Sequence, residues 1–270
     1  KTLRFKMHRK REKSDYIVQN VDLAFDILFY VARKQSVKLK DLEEKFNISP
    51  TSLEKILETL IIRGYLDFNK RKKLYSLGIK NFELGHSYLS HSEIRKQARP
   101  FLQKLAEEFQ ENVYLAARSG FEIVYIDVYE VSRNVVVKSR VGRLLPMYAS
   151  ASGKVHLAFM EKEELEEFFK EVKLERFTEN TITDKNILLK ELEEVRRNGY
   201  AVDNEEWEKE VRCLSVPVRD YTGDVVAALT LSAPSFRLSF NLLHGRMKEM
   251  FLKASEELSE KLGYSKDIQL

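Results

Sequence analysis

The segment from Leu39 to Tyr75 constrains this chain more than any other. Leu39, Leu42 and Phe46 recur at helical spacing, and the pattern stops at Asn47. Ser49-Pro50 then restarts it. A serine can accept from the first free amides of a helix, and a proline at the first helical position sacrifices no hydrogen bond. Leu53, Ile56, Leu57, Leu60 and Ile61 form the apolar stripe of this second helix, and Gly64 offers its stop. Two short alternating runs, Tyr65 to Phe68 and Leu74 to Leu77, flank Asn69-Lys70-Arg71-Lys72-Lys73. Short helix, tight turn, longer helix and basic hairpin together describe a winged helix-turn-helix, which lays its second helix in the major groove of DNA. Val21, Phe25, Leu28 and Val31, starting from a candidate cap at Asn20, supply the supporting helix.

On that reading double-stranded operator DNA is the partner of the head, residues 15–78. Ser49, Thr51, Ser52 and Lys55 occupy the start of the reading helix, where hydroxyls and a cation meet phosphates and base edges. Arg71, Lys72 and Lys73, with Tyr75 behind them, form a phosphate clamp at the hairpin tip. Glu54 and Glu58 share the face of the reading helix. They either support the helix through neighbouring lysines or accept from cytosine.

Charge is distributed to match. Residues 1–90 carry 19 Lys/Arg against 11 Asp/Glu, whereas residues 91–270 carry 27 against 31. A basic first third suits a polyanion, and residues 1–14 read as a basic arm that contacts phosphate or is disordered. The 270 residues are enough for a second domain. The single cysteine, Cys213, excludes an internal disulfide framework. No apolar run approaches the roughly 20 residues of a membrane span and no signal segment is visible, so no membrane partner and a cytoplasmic location are expected.

Residues 79–92 read as a linker helix, followed by a helix capped at Ser92 that Arg99-Pro100 should end or kink. Beyond it, residues 93–270 alternate hairpins and helices. Strands are expected at 113–117, 123–128, 135–137, 214–218 and 225–232, with helices after Ala149, over 188–197, and from Ser239 to Leu262. Hairpins wrapped by helices indicate an α+β fold with a mainly antiparallel sheet.

Several segments in order carry a family resemblance: ISPTSLEKILETL with RGYL in the head, VGRLLPMYASASGK at 141–154, TITD at 181–184, NGYAVDNEE at 198–206 and VRCLSVPVRD at 211–220. With these, the chain from about residue 20 resembles the IclR-type bacterial transcriptional regulators. The resemblance implies a winged-helix head and a GAF/PAS-like effector-binding domain. It also implies homodimers, often paired into homotetramers, that control catabolic operons in response to small metabolites, with no cofactor or metal. It carries an effector site over to Ala151, Ser152 and Gly153 at a helix start, with Asp203, Cys213, Thr230 and Ser232 as polar lining. Val137, Leu145, Met147 and Val211 would form the apolar wall. Amides at a helix start suit an anion such as a carboxylate.

Two residues depart from the pattern or add to it. Glu210 stands where the family usually has Gly, and Trp207 lies in the same loop; an aromatic face beside carboxylates suits a sugar-derived effector as well. An enzyme would need a base for Cys213, yet His8, His86, His91, His156 and His244 fall in no Cys–His or metal spacing. Ala151-Ser152-Gly153-Lys154 lacks the upstream Gly of a phosphate loop and is followed by Val155. The remaining rival is a small-molecule sensor that works through protein contacts.

Overall fold

A computed structural model describes residues 17–90, 93–137 and 141–265. The basic arm and the cap at Ser92 fall outside the described residues. The chain divides into two compact units, residues 1–92 and 93–270.

In the head, α1 (Gln19–Lys34), α2 (Leu39–Phe46) and α3 (Pro50–Ile62) precede the hairpin of β1 (Leu66–Asn69) and β2 (Leu74–Leu77), and α4 (Lys80–Ser90) follows. Ser49 caps α3 by accepting from the Ser52 amide at 3.3 Å, with Pro50 at the first position. Arg63 ends the helix, and Gly64 follows it at φ 75°. Leu42, Leu53, Ile56, Leu57, Leu60 and Leu66 close a core with Ile27 and Val31 of α1. At ~1.5–3 kcal/mol per fully buried aliphatic side chain, this core rather than helix propensity holds the head together. The cap expected at Asn20 is not used, because α1 begins at Gln19 and Asn20 lies within its first turn. Val21 and Phe25 point to solvent. Helix α1 has apolar residues on two faces, and α2 and α3 cover the one carrying Ile27 and Val31.

The body opens with α5 (Glu93–Phe109), which continues past Pro100 rather than ending there. Pro100 and Lys96 lie on the exposed side, so the carbonyl deprived of its N–H partner can be hydrated. Strands β3 (Asn112–Ser119), β4 (Glu122–Tyr129), β5 (Leu144–Pro146), β6 (Ala201–Asn204), β7 (Val211–Arg219) and β8 (Val225–Pro234) form one antiparallel sheet in the order β5-β4-β3-β8-β7-β6. The connections carry α6 (Ala151–Ala158), α7 (Lys162–Glu171) and α8 (Lys185–Asn198), and α9 (Phe240–Leu242) and α10 (Lys248–Lys261) close the chain. The closing helix is therefore not continuous: a wide turn at Leu243–Met247, with Gly245 off helical geometry, separates its two parts. Residues 135–137 form no strand; their backbone is held by side chains, Asn112 Nδ2 donating to the Val137 carbonyl at 3.1 Å and Arg237 Nη2 to that of Val135 at 2.8 Å.

The two faces of the sheet differ in chemistry. Val113 and Leu115, Leu229 and Leu231, and Leu214 and Val216 share one face across β3, β8 and β7. Their partners in alternation are Asn112 and Tyr114, Thr230 and Ser232, and Cys213 and Ser215. Helix α6 lies over this second, polar face, touching β6, β7, β8 and β3.

Candidate effector site and DNA-reading surface

Strand register builds the body's site. Asn112 pairs with Ser232, Ser232 with Cys213, and Cys213 with Asp203, so four neighbouring strands contribute one row. The next row runs Tyr114, Thr230, Ser215, Ala201. All eight residues are buried. Ser215 and Thr230 hydroxyls lie 2.8 Å apart, and the Cys213 thiol is 3.3 Å from Ser232 Oγ. Hydroxyls buried in rows need partners of their own or a bound polar molecule.

Over these rows stands the start of α6. Ser150 caps it, its Oγ accepting from the Gly153 amide at 3.2 Å. Of the three residues expected to offer amides, Gly153 is thus already committed, while Ala151 and Ser152 keep first-turn amides outside the helical ladder. Gly153 has a different reason to be glycine: a Cβ there would lie 2.2 Å from the Met147 backbone. That close approach seats the turn Met147–Ala149 against the helix.

Next to the rows is a charged cluster that the sequence did not reveal. Lys154, fully buried, places Nζ 2.7 Å from Glu206 Oε1 and 2.9 Å from Glu191 Oε1. Burial alone would lower its ammonium, but the two carboxylates outweigh it and the net direction is up. Asp203 is pushed up to about 7 by burial and by the neighbouring Glu206 charge, although the Glu206 and Trp207 amides donate to it. The Glu206 amide is 2.7 Å from Asp203 Oδ1, so this carboxyl also closes the turn after β6. Thr181 Oγ1 holds the Glu206 carbonyl at 2.6 Å, and Asp184 caps α8, which gives the TITD segment two structural tasks.

The apolar wall is less compact than expected. Met147, Val137 and Leu145 are buried, and Val211 shares the face of Cys213 two residues earlier. Leu145, however, sits on β5 at the opposite edge of the sheet from Asp203. Trp207 is half-buried, its ring 4.4 Å from Phe177 in an edge-on contact, and Phe177 stacks on Tyr148. Glu210 is exposed at φ 63°, a left-handed conformation that favours glycine. Asn112, Tyr114 and Ser215 join the expected residues in these rows, and alternation of polar with aliphatic residues in β3 and β7 is the signal for them; no such signal marks Glu206, in the turn after β6.

In the head, Ser49, Thr51 and Lys55 are exposed at the start of α3, and Ser52 is half-buried. Ser49 Oγ donates to Ser52 Oγ at 2.9 Å, so both hydroxyls serve the cap. Arg71, Lys72 and Lys73 stand exposed in the turn, where the Lys72 amide donates to Asn69 Oδ1 at 2.9 Å. Tyr75 is half-buried: its backbone pairs with Val37 and its ring lies 4.7 Å from Phe68. Burial and the nearby Glu54 carboxylate raise its phenol.

Residues 86–260 match the family described as bacterial transcriptional regulator IclR, C-terminal. The HTH-type transcriptional regulator XynR of Escherichia coli is 34% identical over 92% of this chain and 98% of its own length. KdgR of the same organism is 33% identical over 94% and 96%. The crystal structure of Thermotoga maritima IclR superposes with a TM-score of 0.68 at 35% identity, covering 92% of this chain and all of that one. These relatives are regulators and not enzymes, and no helix among the described residues is long and apolar enough to cross a membrane. An effector-binding α+β body joined to a helix-turn-helix head, matched along nearly its whole length, makes this chain a ligand-responsive, DNA-binding member of the IclR family of transcriptional regulators.

Proposed function

We propose that this regulator reads a double-stranded operator through the start of α3 and the β1–β2 turn. A small metabolite held between α6 and the polar rows then sets how well it does so. The observation that carries this reading is the row Asn112, Ser232, Cys213, Asp203, buried beneath α6. Free amides of Ala151 and Ser152, with the positive end of the helix, favour a carboxylate at that point of the ligand. The hydroxyl rows favour a molecule that also carries polar groups, as a sugar-derived acid does. Thr51, Ser52, Lys55, Arg71, Lys72 and Lys73 would contact DNA, and residues 15–78, 79–92 and 93–270 would act as head, connector and effector domain.

An exposed apolar stripe on the head supports a place for a second copy. Val18, Val21, Phe25 and Phe29 follow one face of α1 at spacings of three and four residues, each more than half exposed. Such a stripe is costly in water and suits a homodimer, which would place two reading helices on a two-fold operator in the cytoplasm. Homotetramers would pair such dimers.

The test is equilibrium binding of the full chain to DNA from upstream of its own operon, set against random duplex, at several salt concentrations. A specific preference of about a thousandfold or more that weakens steeply with salt is expected. Equal affinity for both duplexes would sink the operator reading and favour a sensor that works through protein contacts.

A further inference from the structure

Two buried polar atoms on α6 have no hydrogen-bond partner in the fold: Ser152 Oγ and His156 Nε2. They stand four residues apart on one helix, so they share a face. That face looks onto the sheet, because the Ala116 carbonyl of β3 accepts from the His156 ring. Ala116 lies on the same side of β3 as Tyr114, next along from the second polar row. Since Nε2 is the bare nitrogen, the donor to Ala116 is Nδ1, which fixes the tautomer. Nε2 then carries a lone pair and no hydrogen. Burial, aided by the charge of Arg118, pulls the imidazole down to about 4 and keeps it neutral at physiological pH.

A bare, buried acceptor discriminates by chemistry. A carboxylate or ketone oxygen cannot satisfy it; an O–H or N–H donor can. A cationic amine would have to give up its hydration to enter a buried site beside the positive end of α6. A neutral hydroxyl meets no such barrier, and Ser152 Oγ, one turn nearer the helix start, can give or take its second hydrogen bond. The free amides of Ala151 and Ser152 lie roughly one helical turn, ~5 Å, from His156. That is the span of a short carbon chain.

We propose that His156 is a specificity-determining residue of the effector site, its Nε2 accepting from a hydroxyl of a ligand whose carboxylate sits at the first turn of α6. The effector class is therefore a hydroxylated carboxylate, with Ser152 Oγ completing the bonds of the same hydroxyl. This rests on the effector reading above and adds the second recognition point.

The experiment is calorimetric titration of the full chain with two matched pairs, butanoate against 4-hydroxybutanoate and hexanoate against gluconate. In at least one pair the hydroxylated member should bind about tenfold tighter or more. In His156→Leu that preference should vanish with little change for the plain acid, and His156→Gln, whose amide oxygen accepts, should restore part of it. Equal binding within both pairs, or a preference that survives His156→Leu, would overturn the role of His156 and leave the carboxylate site standing. Failure of all four acids to bind would instead overturn the carboxylate site and this inference with it.

Discussion

Lys154 and Glu206 form an ion pair inside the body, Nζ to Oε1 at 2.7 Å, where solvent reaches neither group appreciably. The pair joins α6 to the turn after β6, and Glu191 at 2.9 Å extends it to α8. Three elements around the candidate effector site are thereby tied by one ammonium.

Removing that ammonium leaves Glu206 charged, buried and unpaired. Lys154→Met should cost roughly 3–5 kcal/mol, and Lys154→Met with Glu206→Leu should recover much of it, since removing both charges also removes their desolvation. Urea unfolding of the single and double variants measures this. A double variant as unstable as the single would show that the pair is not the source of the loss.

His156 makes stability fall in acid. Its imidazole is held at about 4 in the folded protein against an ordinary 6.5. Between those values the unfolded chain binds the proton and the folded one does not, so stability drops as pH falls from 6.5 toward 4. Asp203 acts in the opposite sense. Raised from 3.8 to about 7, its carboxyl makes the fold more stable as pH falls through that window. The His156 share is isolated by subtracting His156→Leu from the wild-type chain; by pH 4.5 this difference should have moved by about 2–3 kcal/mol against the wild type. Denaturation curves giving a pH-independent difference would contradict it.

The hairpin tip should act as a phosphate clamp without base preference. Changing Arg71, Lys72 and Lys73 to Ala should lower the slope of log affinity against log salt by about 2–3, and weaken operator and random DNA alike. Fluorescence anisotropy at four salt concentrations gives the slope. An unchanged slope would remove the wing from the interface.

Glu210 holds a left-handed backbone at φ 63° while its side chain is exposed. Glu210→Gly relieves a strain of ~1–2 kcal/mol and adds freedom to the unfolded chain, leaving a net gain of roughly 0.5–1 kcal/mol. Thermal unfolding should show the midpoint rising by a few degrees. A lower midpoint would mean that the Glu210 side chain supports the loop.

How legible each part was depends on how local its cause is. Ser49-Pro50 and Gly64 act on their nearest neighbours, so the ends of α3 could be read directly, whereas the starts of α1 and α8 differ from the expected ones. Val21 and Phe25 could not be placed, because α1 has two apolar faces and only packing chooses between them. Val135 to Val137 has strand-forming residues, yet Asn112 and Arg237 side chains take its carbonyls and no strand forms. The burial of Lys154 has no sequence signal, because lysine is ordinarily a surface residue and nothing near it in sequence hints at Glu191 or Glu206. Asp203, Cys213, Thr230 and Ser232 have no local spacing that marks them as a site, and only the family resemblance points to them.

By itself the sequence determined a basic reading head, an α+β body and the alternation that gives the sheet one aliphatic and one polar face. Periodicity, caps and turn residues act over a few positions, and that reach is enough for elements and faces. Register is a different quantity. Only the tertiary structure decided that Asn112, Ser232, Cys213 and Asp203 would line up beneath α6, that Lys154 would be buried against two carboxylates, and that His156 would keep a bare nitrogen. Those outcomes depend on strands and helices from distant parts of the chain packing against one another, where burial and hydrogen-bond satisfaction act on all of them at once.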